Sequence, residues 1–205
     1  MPNWCSCTMA VYGSPAEVKD FKEKCELARE KGDKLNHWHL YQIFEEFGYK
    51  EEEILKGDFT YGYNRGNIED VTDIQKSKDN EDYVLVYYES AWEPMVDGWN
   101  YLIRNHYKTL KSETVAEECG NEVYINTDEK GKFFNEKYVV YIEDWDSFYF
   151  DRGQEKLVVD LINKYIEEKH LKFCKMQTIE DCYLLIENNN PDEIGYISIN
   201  EFGPY

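Results

Sequence analysis

A strand that leads directly into a helix opens the chain. Residues Thr8–Gly13 have the alternating pattern of a strand whose two faces differ, and a bulky Trp and a Cys precede them. Ser14 and Glu17 then occupy the positions of a capping box, with Pro15 at the first helical position. A strand joined at once to an amphipathic helix is the first half of a split βαβ unit. The sequence therefore predicts a layered domain of helices and strands.

The composition is typical of a folded protein. Of the 205 residues, 42% are hydrophobic and 16% are aromatic, whereas disordered acidic chains are poor in aromatic side chains. The longest apolar run falls far short of the roughly 20 residues that a membrane-spanning helix needs, and no secretory signal pattern is present. We therefore expect a cytoplasmic protein without a membrane partner, whose six cysteines are reduced thiols.

The charge of the chain is strongly negative and unevenly distributed. The net charge is -19, and residues 35–150 hold 25 acidic against 11 basic side chains. Such a field repels phosphate backbones, which are bound through Lys and Arg, and attracts basic partners. The alternative interpretation, that the acidic side chains only form a solvated surface, stays open at this point.

Hydrophobic periodicity orders the elements of the first part of the chain. It predicts an inserted helix at residues 35–47 and a second helix at residues 94–107. Strand patterns occur at residues 68–74, 83–88, 113–118, 123–127 and 138–143. The resulting order is βαββαβ with an inserted helix and extra edge strands. Its natural solution is an antiparallel sheet with two helices on one face, which is an α+β fold.

An acidic and aromatic stretch at residues 143–152 separates a C-terminal part. We therefore place one domain at residues 1–144 and an extension at residues 145–205. A helix is predicted at residues 154–170, followed by strands at residues 173–179, 182–187 and 194–201. This αβββ extension is too short to be stable alone and is expected to pack on the first domain.

Four short segments carry a resemblance to one family. They are Asn3-Trp4-Cys5 with Gly13 downstream, Asn64–Asp70, Ser90–Pro94 and Glu117–Gly120. In order and spacing they resemble the YubB-type ferredoxin-like family, small proteins carried by bacteriophages, prophages and plasmids. The resemblance covers roughly residues 1–135. Its motif residues are Asn3, Trp4, Cys5, Gly13, Asn64, Gly66, Asp70, Trp92, Pro94 and Gly120.

The resemblance implies a ferredoxin-like fold and a mobile-element origin, but no characterised molecular function. The chain also departs from the family pattern. Arg65 and Ile68 stand where the family has two tryptophans, Cys7 replaces an asparagine, and Cys119 replaces a proline. If the two tryptophan positions belong to a shared binding surface, that surface is altered in this chain.

No residue pattern specifies a reaction, a metal or a cofactor. Zinc sites need four ligands and usually space cysteines by two to four residues, and we expect the strand to send the thiols of Cys5 and Cys7 to opposite faces. On a helix, His37 and His39 would diverge by about 200°. We therefore predict no catalytic residue, no metal site and no cofactor. A cysteine–histidine pair that forms only on folding keeps an enzymatic activity open as an alternative.

Tyrosines in the predicted strands raise a second alternative. RNA-recognition modules with ferredoxin-like sheets stack bases on exposed strand aromatics. Tyr83, Tyr87, Tyr88, Tyr124 and Tyr141 could supply such rings for RNA or single-stranded DNA. Because acidic residues outnumber the neighbouring lysines, the sequence disfavours direct nucleic-acid binding.

The leading interpretation is a non-enzymatic accessory protein that binds a host or element-encoded protein with a basic surface. Its acidic side chains would imitate a nucleic-acid backbone, as an anti-defence inhibitor could. The residues predicted to contact the partner are Glu45, Glu46, Glu51, Glu52, Glu53, Glu117 and Glu118.

Overall fold

The computed structural model of the chain describes residues 3–35, 41–49, 66–143 and 145–205. Within these ranges the chain forms a mixed α+β protein with antiparallel sheets, as predicted. The strands are β1 (Trp4–Gly13), β2 (Gly66–Val71), β3 (Gln75–Lys76), β4 (Asp82–Ala91), β5 (Lys111–Glu118), β6 (Val123–Asn126), β7 (Glu136–Ile142), β8 (Ser147–Asp151) and β9 (Ile197–Glu201). The helices are α1 (Pro15–Leu35), α2 (Tyr41–Glu46), α3 (Val96–His106), α4 (Glu155–Glu168), α5 (Ile179–Asn188) and α6 (Pro191–Ile194). None of the helices in the described ranges has the length and apolar character to cross a membrane.

The first compact unit contains the chain up to Phe134, together with Pro204–Tyr205, and is built on a six-stranded sheet. The strands lie in the order β2-β4-β1-β5-β6, and β3 pairs with β4 beside this path. All of these pairs are antiparallel. β1 therefore lies in the middle of the sheet, between two strands that come from distant parts of the sequence.

Helices α1, α2 and α3 cover one face of this sheet. Phe21 of α1 is fully buried, and its ring centroid lies 5.9 Å from that of Phe47, 6.2 Å from that of Trp99 and 6.0 Å from that of Tyr107. A fully buried side chain of this size contributes about 1.5–3 kcal/mol to stability. The aromatic cluster therefore fixes the helices on the sheet.

The start of α1 differs from the predicted capping box. The Glu17 carboxylate accepts hydrogen bonds from the Thr109 hydroxyl and from the backbone N–H groups of Thr109 and Lys108, at 2.9 and 3.2 Å for the N–H groups. The Thr109 hydroxyl and these N–H groups lower the pKa of Glu17. The Ser14 N–H donates to the Thr109 hydroxyl at 3.1 Å. The residues predicted to form a local cap thus join the start of α1 to the connection between α3 and β5.

The second compact unit, residues 135–203, is built on a three-stranded antiparallel sheet in the order β8-β7-β9. Its core holds fully buried side chains of β7, α4 and α5, namely Val140, Ile142, Val158, Ile162 and Cys182. β7 is the strand that the sequence predicted within the first domain. The boundary predicted at residue 145 falls between β7 and β8, which pair with each other.

The predicted αβββ order of the C-terminal part is wrong. After α4, the chain has no strand up to residue 178, and the strand predicted at residues 182–187 is helix α5. The observed order of the second unit is β7-β8-α4-α5-α6-β9.

A capping box explains why residues after Thr178 form a helix. The Asp181 N–H donates to the Thr178 hydroxyl at 3.1 Å, and the Thr178 N–H donates to the Asp181 carboxylate at 3.0 Å. Ile179, Cys182 and Leu185 are buried at a spacing of three residues, which keeps them on one face of an α-helix, whose period is about 3.6 residues. The continuous apolar run within α5 fits a strand or a helix equally well, and the cap decides between them.

Candidate functional site

The segments that carry the family resemblance meet at one end of the first sheet. Cys5 of β1 pairs with Ser90 of β4, and Ser90 pairs on its other side with Gly66 of β2. The carbonyl oxygen of Asn3 accepts a hydrogen bond of 2.9 Å from the N–H of Trp92. Backbone pairing therefore brings three segments that are distant in sequence to the same place.

The fourth segment joins them through Gly120. A Cβ atom at this position would lie 2.4 Å from the side-chain amide nitrogen of Asn3, so the missing side chain leaves room for that amide. The Glu118 carboxylate accepts hydrogen bonds of 2.7 Å from the N–H groups of Gly120 and Asn121. Glu118 is only 6% exposed, because it caps the short 3₁₀ helix Cys119–Asn121. Glu118 is therefore not available to a partner, and the prediction that it contacts one is wrong.

The other acidic residues predicted to bind a partner do not form one surface. Glu45 and Glu46 lie on α2, on the side of the sheet that the helices cover, and Glu46 forms an ion pair with Lys31. Glu117 lies on β5 and points to the other side of the sheet. The candidates Glu51, Glu52 and Glu53 and the motif residue Asn64 are outside the described residues.

Two further motif residues make contacts that serve the fold. The Arg29 guanidinium donates a hydrogen bond of 2.7 Å to the Asp70 carboxylate, which joins α1 to β2. Pro94 is buried between the end of β4 and the start of α3. Both contacts explain these residues without a ligand.

The two cysteines at the start of β1 lie on the same face. Cys5 is fully buried and Cys7 is 3% exposed, both in the core under the helices. The prediction that their thiols point to opposite faces is wrong, because side chains two residues apart on a strand return to the same side. The Cys7 thiol and burial raise the pKa of Cys5, so its thiol stays protonated and unreactive. In the described ranges, no group of three or more His, Cys, Asp or Glu side chains is placed to hold a metal ion.

The five tyrosines considered for base stacking do not share one surface. Tyr88 is 1% exposed and packs edge-on against Trp99, with ring centroids 5.5 Å apart. The Tyr88 hydroxyl and the Trp99 indole N–H have no hydrogen-bond partner in the described part of the chain, and burial raises the pKa of Tyr88. Tyr141 belongs to the sheet of the second unit. The five tyrosine rings therefore do not form one exposed array on a single sheet.

The face of the first sheet that points away from α1, α2 and α3 has a different character. We call it the helix-distal face and define it by Trp4, Ser6, Thr8, Tyr87, Glu89, Glu117 and Tyr124. Ser6 of β1 pairs with Glu89 on one side and with Glu117 on the other. Because directly paired residues point to the same side of a sheet, the two carboxylates flank the small Ser6 side chain.

Trp4 lies two residues before Ser6 on β1, on the same face of the sheet, and pairs with Ala91 of β4. Its side chain is 39% exposed, although it is one of the largest apolar groups in the chain. Burial and the negative charge of Glu69 raise the pKa of Glu89. Within the described residues, no ion pair involves the Glu89 carboxylate. The exposed ring of Trp4 thus lies near the Glu89 carboxylate, which forms no ion pair with a described cation.

Trp92 stands at the same end of the sheet in an unusual backbone conformation. Its φ is +76°, a left-handed value that bulky L-residues rarely adopt, and its side chain is 49% exposed. The hydrogen bond of its N–H to Asn3 and the bond from the Ser90 hydroxyl to the carbonyl of Glu93, at 2.5 Å, hold this bend. The bend places a second large aromatic side chain at the surface.

The positive φ of Trp92 leads to a testable prediction. Trp92→Gly and Trp92→Ala remove the same ring, but only glycine adopts a positive φ without steric cost. We expect the Gly variant to be more stable than the Ala variant by about 1 kcal/mol, measured by urea unfolding. Tyr101, in α3, provides the matched control, since Gly there should be less stable than Ala by about 1 kcal/mol. If Ala equals or exceeds Gly at position 92, the strain is absent.

No protein-family model, curated protein or solved structure matches this chain. Reasoning from the sequence missed Ser6 and Glu89, since nothing local distinguishes them from other polar strand residues. Only the register of β4 and β5 against β1 places them beside Trp4 and Glu117.

Proposed function

We propose that this chain is a non-enzymatic accessory protein of a mobile element that acts by binding another protein with a basic surface. The observation that carries the proposal is the helix-distal face of the first sheet. There the exposed Trp4 lies beside Glu89 and Glu117, in a chain of net charge -19. Such a surface attracts Lys and Arg side chains and repels phosphates.

The ferredoxin-like assignment belongs to the same proposal. In a βαββαβ chain of this type, the first and third strands are central and the second and fourth lie outside them. In this chain β1, β2, β4 and β5 correspond to the first, second, third and fourth strands of that plan. β1 pairs with β4, and β2 and β5 lie outside them, which supports this order. The resemblance of the segments around Asn3, Trp92 and Gly120 to the YubB-type family supports the mobile-element context.

The proposed action is inhibition by imitation of a nucleic acid. Carboxylates on a sheet face present negative charges to a basic groove that otherwise holds a phosphate backbone. A cytoplasmic host protein that acts on foreign nucleic acid has such a groove, and its occupation would serve an anti-defence role. The net charge of the chain steers the two proteins together at low ionic strength.

Direct binding of RNA or single-stranded DNA is the competing function. Tyr87 and Tyr124 are on the helix-distal face, half-buried, and present rings on which bases could stack. The carboxylates of Glu89 and Glu117 lie in the same region and oppose the approach of phosphates. We therefore favour a protein partner.

Affinity capture with charge-reversed variants tests the proposal. The chain is immobilised, host lysate treated with nuclease is applied at about 50 mM salt, and retained proteins are eluted at about 1 M salt, where the Debye length falls to about 3 Å. We expect retention of a basic nucleic-acid-binding protein. Glu89→Lys with Glu117→Lys should abolish that retention. The matched control, Glu23→Lys with Glu30→Lys, changes the net charge equally on the exposed side of α1.

Three outcomes would contradict the proposal. The first is equal loss of retention in the two double variants. The second is retention from untreated lysate that is absent from the nuclease-treated lysate, because nucleic acid would then mediate the contact. The third is a mobility shift of single-stranded RNA that Tyr87→Ala and Tyr124→Ala remove.

A further inference from the structure

The row across β4, β1 and β5 contains a gap between two carboxylates. Ser6 is exposed and carries only a hydroxymethyl group, whereas its paired neighbours are the much longer Glu89 and Glu117. Strands in a sheet lie about 4.8 Å apart, so the Cα atoms of the two glutamates are about 10 Å apart. This spacing leaves room above Ser6 for one further side chain.

One end of the gap is bounded by the exposed Trp4 ring. Trp4 precedes Ser6 by two residues on the same strand and on the same face, and the equivalent position on the other side of Ser6 is the smaller Thr8. We call the gap bounded by Trp4, Glu89 and Glu117 above Ser6 the Ser6 notch. It combines an aromatic ring with two carboxylates around a small polar floor.

We propose that the Ser6 notch receives an arginine side chain of a partner protein. Charge complementarity carries the choice of occupant. A guanidinium group is planar, offers five N–H donors to carboxylates, and stacks on aromatic faces, so it satisfies all three walls at once. The inference rests on the proposed function and gives that function its point of contact.

The electrostatics of Glu89 agree with a cationic occupant. Burial and the charge of Glu69 raise its pKa, so the carboxylate is held in an unfavourable environment. A guanidinium beside it would reverse the effect of Glu69 and lower that pKa. Perturbed carboxyl groups of this kind are common in binding sites.

A lysine fits the notch less well. Its ammonium group is a compact point charge that keeps its hydration strongly, and it cannot stack on the indole ring as a planar group does. The notch should therefore distinguish arginine from lysine at equal charge, which a diffuse acidic surface does not.

The test uses defined peptides with the full chain. The probe is a capped nonapeptide in which three Arg residues alternate with Thr; companion peptides carry Lys or the uncharged citrulline at the same three positions. Binding is followed at 20 mM and 150 mM NaCl by NMR, through backbone amide signals and the indole N–H signal of Trp4. We expect the Arg peptide to bind about threefold tighter than the Lys peptide and to shift the Trp4 signal. The citrulline peptide should not bind.

Variants of the notch separate its shape from its charge. Ser6→Ile fills the floor and keeps every charge, and Glu89→Gln with Glu117→Gln keeps the shape and removes both charges. We expect each to lower the affinity for the Arg peptide about tenfold. The control pair, Glu23→Gln with Glu30→Gln on α1, should change it less than about twofold. Thermal unfolding of each variant confirms that it is folded.

The outcomes distinguish this inference from the proposed function. In one contrary outcome, the α1 control lowers the affinity as much as Glu89→Gln with Glu117→Gln, while Ser6→Ile has no effect. The peptide then binds by general electrostatic attraction, and the proposed arginine site in the Ser6 notch is overturned. Equal binding of Arg and citrulline peptides, or no binding of the Arg peptide to the unaltered chain, also overturns it. None of these results contradicts the proposed binding of a basic protein, which the affinity-capture experiment tests separately.

Discussion

Phe21→Ala is expected to lower the free energy of unfolding of the first unit by about 3–5 kcal/mol. The Phe21 side chain is fully buried and contacts three aromatic rings, those of Phe47, Trp99 and Tyr107. Its removal leaves a cavity that rigid neighbouring rings fill poorly, and it also removes one edge-on and two tilted contacts between rings. Urea unfolding, followed by tryptophan fluorescence and by near-UV circular dichroism, measures the loss.

Leu27→Ala is the matched control for this prediction. Leu27 lies on the same helix, but its side chain is 49% exposed, so we expect a loss below about 1 kcal/mol. Equal losses at Leu27 and Phe21 would mean that α1 does not pack through the Phe21 face. The aromatic core would then not be the element that fixes the helices on the sheet.

Gly13→Ala should be the second most damaging of the changes considered. The φ of Gly13 is +155°, and a Cβ atom there would lie 2.8 Å from the carbonyl oxygen of Thr109 and 3.0 Å from the Leu110 side chain. Overpacking against a fixed backbone group costs about 1–3 kcal/mol, and the positive φ adds strain. We expect a loss of about 2–4 kcal/mol in urea unfolding, since both effects act.

Gly48→Ala separates the two effects. Gly48 also has a positive φ, +86°, but nothing lies within 4 Å of the Cβ atom that the change would add. It should therefore lose only the conformational part, about 1 kcal/mol. If Gly48→Ala costs as much as Gly13→Ala, the contact with Thr109 contributes nothing.

Local signals predicted most of the first unit. The alternation in β1, the helix start at Pro15 and the apolar spacing of α1 and α3 each depend on residues close in sequence, and each element is present. Where the local pattern was ambiguous, the prediction failed. The apolar run within α5 fits both periods, so the strand predicted at residues 182–187 is a helix instead.

Side-chain partners were much harder to predict than elements. Glu17 has the spacing of a local cap, yet it binds the backbone of Lys108 and Thr109, far away in sequence. Glu118 resembles one more surface acid, yet it is buried as a cap of the next turn. In both cases the sequence specifies a carboxylate, and the competition among backbone N–H groups in the folded chain decides which ones it binds.

The sequence by itself determined the α+β class, the strong negative charge and most of the order of elements in the first unit. These properties follow from periodicity and composition, which are local or additive. The sequence did not predict β3, and it assigned β7 to the first domain. The tertiary structure alone decided that Trp4, Ser6, Glu89 and Glu117 share one face, and that Cys5 and Cys7 lie in the core. The reason is register: a shift of β1 by one residue against β4 and β5 would turn Trp4, Cys5, Ser6 and Cys7 to the opposite face, away from their present neighbours. That register is set by the burial of the whole sheet face under the helices and by no single segment.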